Sequence, residues 1–291
     1  MGLHVVVTGA GGFIGGFVAR WLATRGYEVT AVSRRPMESQ MRSSSATTWR
    51  QADLADPASL PSRFDALIHC AAETPERCPD PSDLYRRNMD VSRNVFAQLL
   101  EAGARGAVFL SSMAAYGTVS VPVVTEDLPP LNPDAYGRAK RDTESLLQGC
   151  VERGLPSGLA IRLPGTTGKG SHDNFLSVAL ARARSGELVK GRNPDALFNN
   201  IVYVGDLAAF LEGWIANPRP GYALTNLGAT EPLPMRQVLS LLYAFSGHPE
   251  RVVFESGGKP PFLISLERAI TLGYRPSTVK ASLQSFIRDC I

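Results

Sequence analysis

The sequence is poor in cysteine and has no cysteine pattern that binds a metal. Its four cysteines, spread over 291 residues, form neither a Cys-x-x-Cys pair nor a zinc spacing. These spacings argue against a structural zinc site, and we expect no metal site. Free thiols are typical of a reducing compartment, so we expect all four cysteines to be unpaired.

Net charge and long apolar segments are also scarce. The formal net charge is +3, and no lysine-rich run or aromatic RNA-binding motif is present, so we expect no nucleic-acid partner. No apolar stretch reaches the ~20 residues that span a bilayer. Because an apolar strand already begins at Leu3, we expect no signal peptide, no membrane association and a cytoplasmic protein.

A glycine-rich turn follows the first predicted strand. Residues 3–7 form an apolar, β-branched run, and a glycine turn and apolar residues at helical spacing come next. Gly9 permits a tight turn, Gly12 lets the backbone approach a pyrophosphate, and Gly15 lets the helix pack against the strand. The helix N-terminus offers free N–H groups to phosphates. Strand, turn and helix together predict a dinucleotide-binding site.

The second predicted strand lacks the acidic residue that normally follows it in NAD-binding proteins. That carboxylate accepts a hydrogen bond from the ribose 2′-hydroxyl. Here the strand at residues 28–32 continues into Ser33, Arg34 and Arg35. A guanidinium group pairs well with a 2′-phosphate. The pattern therefore favours NADP(H) over NAD as the cofactor.

Tyr136 and Lys140 are four residues apart, a spacing that places both on one face of a helix. A free phenol has a pKa of about 10 and exchanges protons poorly near neutral pH. A nearby ammonium lowers the pKa of a phenol. We therefore expect the pair to exchange a proton with an alcohol or a carbonyl at working pH.

In their order and spacing these motifs resemble the extended short-chain dehydrogenase/reductase family, the group of NAD(P)-dependent nucleotide-sugar epimerases, dehydratases and reductases. The resemblance covers nearly the whole chain. The matching positions are residues 8–15, 53–54, 69–72, 88, 109–117, 136, 140, 161–164 and 202–207. The catalytic hydroxyl of the family lies four residues before a Tyr-Gly pair, which selects Ser112 over Ser111.

The resemblance implies a role for each matching residue. Tyr136 is the general acid/base, Lys140 lowers its pKa and binds the nicotinamide ribose, and Ser112 hydrogen-bonds the substrate oxygen. The implied cofactor contacts are Gly9, Gly12, Phe13, Ile14, Gly15, Ser33, Arg34, Arg35, Asp53, Leu54, Ala71, Ala72, Asn88, Ser111, Tyr136, Lys140 and Leu163. The implied substrate contacts are Ser112, Met113, Ala114, His172, Asn174 and Asn199.

Departures from the family pattern narrow the chemistry. Sugar dehydratases follow the catalytic hydroxyl with an acidic pair, whereas Met113 and Ala114 follow Ser112 here, so we do not expect dehydration. Reductases that also epimerise use a cysteine at the position of Ala114. Without it, His172 is expected to be a substrate or loop residue rather than an epimerising acid.

Two further departures weaken the expectation of a nucleotide-linked substrate. Many relatives place an asparagine near the diphosphate, where this chain has Gly165. Many also carry a diphosphate-binding arginine in a segment that here reads Phe-Asn-Asn-Ile, at residues 198–201. Lys190 and Arg192 are the alternative cations for that role.

The predicted architecture is α/β: a Rossmann-type doubly wound parallel sheet with a smaller C-terminal substrate-binding lobe. We expect residues 1–165 to form the cofactor domain, with residues 199–228 returning to it. Residues 166–198 and 229–291 form the lobe. A serine-rich surface loop is expected at residues 39–48.

The sequence leaves several functions open. The first is an NADP(H)-dependent oxidoreductase that reduces a keto-sugar, with a nucleotide-linked sugar as the expected substrate. A redox-neutral 4-epimerase of the same nucleotide-sugar metabolism uses the same residues. Reduction of a small non-sugar carbonyl compound and a non-catalytic NADP-binding regulator are the alternatives. The resemblance also implies a homodimer, for which Leu84, Val91, Val95, Leu99, Leu146 and Leu147 are either interface or core residues.

Overall fold

The computed structural model describes residues 2–36, 47–172, 174–244 and 246–290, so most of the predicted serine-rich loop lies outside the described residues. The helices are α1 (Phe13–Ala23), α2 (Pro81–Glu101), α3 (Ala135–Glu152), α4 (Phe175–Arg184), α5 (Val204–Ala216), α6 (Met235–Ala244), α7 (Glu267–Thr271) and α8 (Val279–Cys290). A single 3₁₀ turn, Met113–Tyr116, is also described.

Fifteen strands are assigned within the described residues. They are β1 (His4–Thr8), β2 (Glu28–Ser33), β3 (Thr47–Gln51), β4 (Ala66–His69), β5 (Gly106–Ser112), β6 (Val123–Val124), β7 (Ser157–Leu163), β8 (Gly165–Thr167), β9 (Val189–Arg192), β10 (Leu197–Phe198), β11 (Ile201–Tyr203), β12 (Gly221–Asn226), β13 (Leu233–Pro234), β14 (Val252–Glu255) and β15 (Leu263–Ile264). Seven of them form the main sheet.

The main sheet has the strand order β12-β7-β5-β4-β1-β2-β3. β1 pairs in parallel with β2 on one side and β4 on the other. The strand order therefore reverses beside β1, and in such sheets ligands bind at the carboxyl ends of the strands on either side of that point. The predicted doubly wound parallel sheet is confirmed.

The chain divides into two compact units whose bounds differ from the predicted ones. The first contains Met1–Gly117, Pro129–Arg162 and Ala208–Thr225, and the remainder forms the second. Residues 118–128 belong to the second unit because β6 pairs in parallel with β15. Residues 199–207 also belong to it, since β11 pairs with β8. Short parallel pairs of this kind have no sequence signature, so the pattern of long elements did not reveal them.

The core of the first unit includes the apolar residues that were open to either a core or an interface role. Leu84, Val95, Leu99 and Leu147 are at most 4% exposed within the single chain. Val91 and Leu146 pack against the same core. These residues therefore contribute to the packing of α2 and α3. Among the described residues, no helix is both long and apolar enough to cross a bilayer.

A buried ion pair connects three elements of the first unit. The guanidinium of Arg162 on β7 donates to both carboxylate oxygens of Glu144 on α3, at 2.9 and 2.6 Å. The two side chains are 9% and 6% exposed. The hydroxyl of Ser111 on β5 also donates to Glu144. The guanidinium of Arg162 lies 4.4 Å from the ring centroid of Tyr116, in the 3₁₀ turn.

Arg162→Met should destabilise the protein by about 3–5 kcal/mol, because it leaves the Glu144 carboxylate buried without a countercharge. Urea unfolding followed by circular dichroism measures the loss. Arg236→Met is the matched control, since Arg236 pairs with Asp195 at the surface and exposed pairs contribute little. Equal midpoints for Arg162→Met and the wild type would contradict the importance of the buried pair.

Candidate active site

The glycine turn after β1 is built by close backbone contacts. Gly9 has φ of 68°, and a Cβ there would lie 2.7 Å from the backbone nitrogen of Ala71. A Cβ on Gly15 would lie 2.4 Å from the carbonyl oxygen of Gly9. Both positions exclude any side chain, so the predicted roles of Gly9 in the turn and of Gly15 in helix packing fit the geometry.

The start of α1 presents free backbone donors. Its N-cap, Gly12, makes no side-chain capping hydrogen bond, and its first turn contains no acidic residue. The first N–H groups of a helix have no partner within the helix and favour anions. This helix end is therefore suited to a phosphate, as the glycine spacing predicted.

Gly11 is a site residue that the motif analysis missed. A Cβ at Gly11 would lie 2.4 Å from the hydroxyl oxygen of Ser33. That hydroxyl in turn accepts a hydrogen bond from the backbone N–H of Arg35, at 3.0 Å. The glycine turn and the end of β2 therefore fit closely together, and a side chain at residue 11 would separate them.

A cavity of about 410 Å³ lies at the carboxyl ends of β1, β2 and β4. The predicted cofactor residues that line it are Gly9, Gly12, Ser33, Arg34, Arg35, Asp53, Leu54, Ala71, Ala72 and Asn88. The other predicted ones lie elsewhere: Phe13, Ile14 and Gly15 in α1, Ser111 in β5, Tyr136 and Lys140 in α3, and Leu163 at the end of β7. Glycine, arginine and free N–H groups around one cavity fit the phosphates of a dinucleotide.

Several charged side chains line this cavity without having been predicted to do so. They are Glu73, Arg77, Arg86, Arg87 and Asp90. Glu73 forms an ion pair with Arg34. The side chain of Asn88 explains the position of Glu73, because it accepts from the Glu73 N–H at 3.0 Å and donates to the Glu73 carbonyl at 3.1 Å. Asn88 thus holds the loop that follows β4.

The helix that carries Tyr136 starts directly beside the Ser112 loop. Asp134 caps α3 by accepting from the N–H of Gly137, at 2.7 Å. A Cβ on Gly137 would lie 2.1 Å from the carbonyl oxygen of Ala114. Only a glycine at residue 137 lets the first turn of α3 come this close to the 3₁₀ turn after Ser112.

Lys140 is buried, and β5 fixes its position. Its ammonium donates to the carbonyl of Leu110 at 2.7 Å, two residues before Ser112. The same nitrogen lies 5.5 Å from the ring centroid of Tyr136. Burial lowers the pKa of Lys140 to about 8, although Cys70 and Glu144 act in the opposite direction. The ammonium therefore remains mostly charged near neutral pH.

The pKa of Tyr136 is raised to about 12, first by removal of the phenol from water and then by the charges of Glu76 and Asp134. Lys140 is not among the causes of this shift, so its effect on the phenol stays a prediction. The ammonium is directed to the Leu110 carbonyl, so desolvation and the two carboxylates prevail. Tyr136 is consequently protonated at neutral pH and is suited to donate a proton.

The two adjacent serines have different surroundings. The hydroxyl of Ser111 is buried and donates to Glu144, so its side chain supports the ion pair, and its contact with a cofactor stays a prediction. Ser112 is half-buried, and its oxygen accepts from the N–H of Ala114 at 3.2 Å. Its hydroxyl proton remains available for another acceptor. The geometry therefore favours Ser112, as the family spacing did.

Two predicted substrate residues in the second unit have their amide groups occupied by the fold. Asn199 donates to the carbonyl and accepts from the N–H of Ile264, both at 2.9 Å. Asn174 donates to the Thr166 carbonyl at 3.1 Å and caps α4 by accepting from Ser177. Both side chains hold backbone in place, and their contact with a substrate stays a prediction.

Met113 and Ala114, the predicted substrate residues after Ser112, are half-buried, whereas His172, Lys190 and Arg192 are exposed. His172 is exposed, with Nδ1 3.0 Å from the Gly170 carbonyl oxygen. Lys190 and Arg192 both pair with Glu255, at 2.8 and 3.8 Å. All four cysteines are free. The described part of the chain contains no cluster of three metal-ligating side chains.

Comparisons with known proteins identify the family of this chain. The sequence model of the NAD dependent epimerase/dehydratase family matches residues 5–224. D-erythronate dehydrogenase from Cupriavidus necator is 30% identical over 258 residues, 82% of this chain and 76% of that protein. UDP-glucose 4-epimerase from Azospirillum brasilense is 28% identical over 292 residues, 90% of this chain and 83% of that protein.

A solved structure has the same overall fold. MoeE5 in complex with UDP-glucose and NAD matches with a TM-score of 0.82 and 25% identity, over 99% of this chain and 98% of that one. The residues that match the family model include the glycine turn, the helix with Tyr136 and Lys140, and the strands of the main parallel sheet. The chain therefore belongs to the NAD dependent epimerase/dehydratase family and is an enzyme of the extended short-chain dehydrogenase/reductase type.

Proposed function

We propose that this protein is an NADP(H)-dependent oxidoreductase that reduces a ketone on a sugar or sugar-derived substrate. The observation that carries the proposal is the position of Lys140, whose ammonium joins α3 to β5 two residues before Ser112. This contact brings the Tyr136 helix and the Ser112 strand together. The same residues serve a 4-epimerase, which must keep its cofactor bound, whereas a reductase must exchange it.

The chain supplies the proton chemistry of the reduction. A bound nicotinamide dinucleotide supplies the hydride. Ser112 donates a hydrogen bond to the carbonyl oxygen, and Tyr136 transfers its phenolic proton to that oxygen, which yields the alcohol. The ammonium of Lys140 stabilises the phenolate that remains until it takes a proton from solvent.

The end of β2 supports NADP(H) as the cofactor. Arg34 and Arg35 line the cavity. The last residues of β2 before them, Val32 and Ser33, are not acidic. A 2′-phosphate is the anion that such guanidinium groups bind well. The homodimer and the cytoplasmic location stay predictions from the sequence.

The substrate has two candidates of different size. The similarity to UDP-glucose 4-epimerase favours a nucleotide-linked sugar. The similarity to D-erythronate dehydrogenase favours a small sugar acid. Gly165 in place of the expected asparagine and the pairing of Lys190 with Glu255 favour the smaller molecule. The match to UDP-glucose 4-epimerase covers 90% of this chain, against 82% for D-erythronate dehydrogenase. For that reason we propose the nucleotide-linked sugar first and keep the small sugar acid as the second candidate.

Thermal unfolding with NADP⁺ present distinguishes the two substrate classes. UDP, dTDP, GDP, CDP, ADP and D-erythronate are added separately. A ligand that binds only the folded state at 100 times its Kd stabilises it by about 2.7 kcal/mol. We expect one nucleoside diphosphate to raise the Tm. A rise with D-erythronate alone would replace the nucleotide-linked sugar with the second candidate.

Tyr136→Phe should lower kcat roughly 100-fold or more while NADPH still binds, because only the proton donor is lost. Initial rates are measured with the substrate class that stabilises the wild type, and NADPH binding is measured by fluorescence titration. Tyr27→Phe, a half-buried tyrosine outside the proposed site, is the matched control and should keep full activity. Full turnover by Tyr136→Phe would refute the proposed mechanism.

The activity should decrease on the alkaline side because of Lys140. Its ammonium, with a pKa of about 8, loses its proton as the pH rises through that value. Tyr136, with a pKa of about 12, stays protonated over the same range. For carbonyl reduction we therefore expect kcat/KM to fall above about pH 8, with circular dichroism verifying that the fold persists. A rate that is flat to pH 10 would contradict the role of Lys140.

A further inference from the structure

We propose that Glu73 sets the dinucleotide preference of this enzyme. Its carboxylate neutralises Arg34 and supplies the acidic group that is missing at the carboxyl end of β2. The cavity therefore accepts NAD(H) as well as NADP(H). The inference rests on the cofactor site of the proposed function. It adds a residue that determines specificity and lies outside the glycine turn and the β2 motif.

The position of Glu73 is fixed by its own backbone. Its N–H and carbonyl both bond to the side chain of Asn88, at 3.0 and 3.1 Å. Asn88 is buried in α2 and also donates to the carbonyl of Leu84 at 2.9 Å. The Glu73 side chain is only 15% exposed and lines the cavity. A carboxylate therefore stands at a defined place in the proposed cofactor site.

The partner of Glu73 comes from the other side of the glycine turn. β2 and β4 flank β1 in the sheet. The Arg34–Glu73 pair joins the segments that follow these two strands at their carboxyl ends. Both residues line the same cavity. The backbone carbonyl of Arg34 also accepts from the side chain of Gln51 at 3.2 Å. The pair thus spans the region where the dinucleotide is proposed to lie.

The two arginines that follow β2 differ in their ion pairs. Arg34 pairs with Glu73, whereas among the described residues no carboxylate forms an ion pair with Arg35. The backbone N–H of Arg35 is held by the Ser33 hydroxyl, at 3.0 Å. Arg35 is therefore the guanidinium available to a 2′-phosphate, and Arg34 becomes available only by leaving Glu73.

The two dinucleotides meet opposite effects at Glu73. A 2′-phosphate of NADP(H) bound by Arg34 would be repelled by the Glu73 carboxylate, which pairs with the same guanidinium. The ribose 2′-hydroxyl of NAD(H) is a hydrogen-bond donor, and a carboxylate accepts from it. One acid beside two arginines therefore reduces the advantage of NADP(H) without removing it.

The test is Glu73→Gln, which keeps the size of the side chain and removes its charge. Dissociation constants for NADPH and NADH are measured by fluorescence titration, without substrate. We expect the ratio of Kd for NADH to Kd for NADPH to rise roughly tenfold, through tighter NADPH and weaker NADH binding. Arg34→Gln, which leaves Glu73 without its countercharge, should lower the same ratio.

Glu212→Gln is the matched control. It makes the same substitution in a carboxylate that pairs with Arg25 at 3.0 Å and lies outside the cavity lining. Its ratio should equal that of the wild type. An unchanged ratio in Glu73→Gln, or an equal change in Glu212→Gln, overturns this inference and leaves the proposed function standing. Failure of the wild type to bind either dinucleotide overturns the proposed function and this inference with it.

Discussion

The catalytic end of the sheet depends on one buried ion pair. Arg162 and Glu144 are almost fully removed from water, a state that is costly unless the two charges meet in good geometry. The two-pronged contact and the Ser111 hydroxyl satisfy the carboxylate. Because the pair joins β5, α3 and β7, it sets the spacing between the strand that ends at Ser112 and the helix that carries Tyr136 and Lys140.

Close backbone approach is the second constraint on the site. Gly9 and Gly15 bring β4 and α1 against the end of β1, and Gly137 brings α3 against the loop after Ser112. A methyl group at any of these positions would overlap a backbone atom, so the neighbouring elements would have to separate. The cofactor cavity and the catalytic helix are thus positioned by the absence of side chains as much as by their presence.

Burial decides the charges of the groups that take part in the chemistry. Desolvation raises the pKa of Tyr136 and lowers that of Lys140, so the phenol keeps its proton and the ammonium is close to losing its own. In the cofactor cavity Glu73 has a comparable influence on Arg34, because a fixed carboxylate changes which anion that arginine can bind.

The sequence by itself determined the local elements and the family to which the chain belongs. The strand, glycine turn and helix at the start of the chain, the parallel sheet and the choice of Ser112, Tyr136 and Lys140 follow from periodicity, spacing and family resemblance. The tertiary structure alone decided what depends on partners distant in the chain. It bonded Asn199 to the backbone of Ile264, set Glu73 against Arg34, and removed most of the Tyr136 phenol from water, which raises the pKa of that group. The physical reason is that periodicity and motif spacing report local conformation, whereas hydrogen-bond partners and desolvation are set by residues far away in sequence.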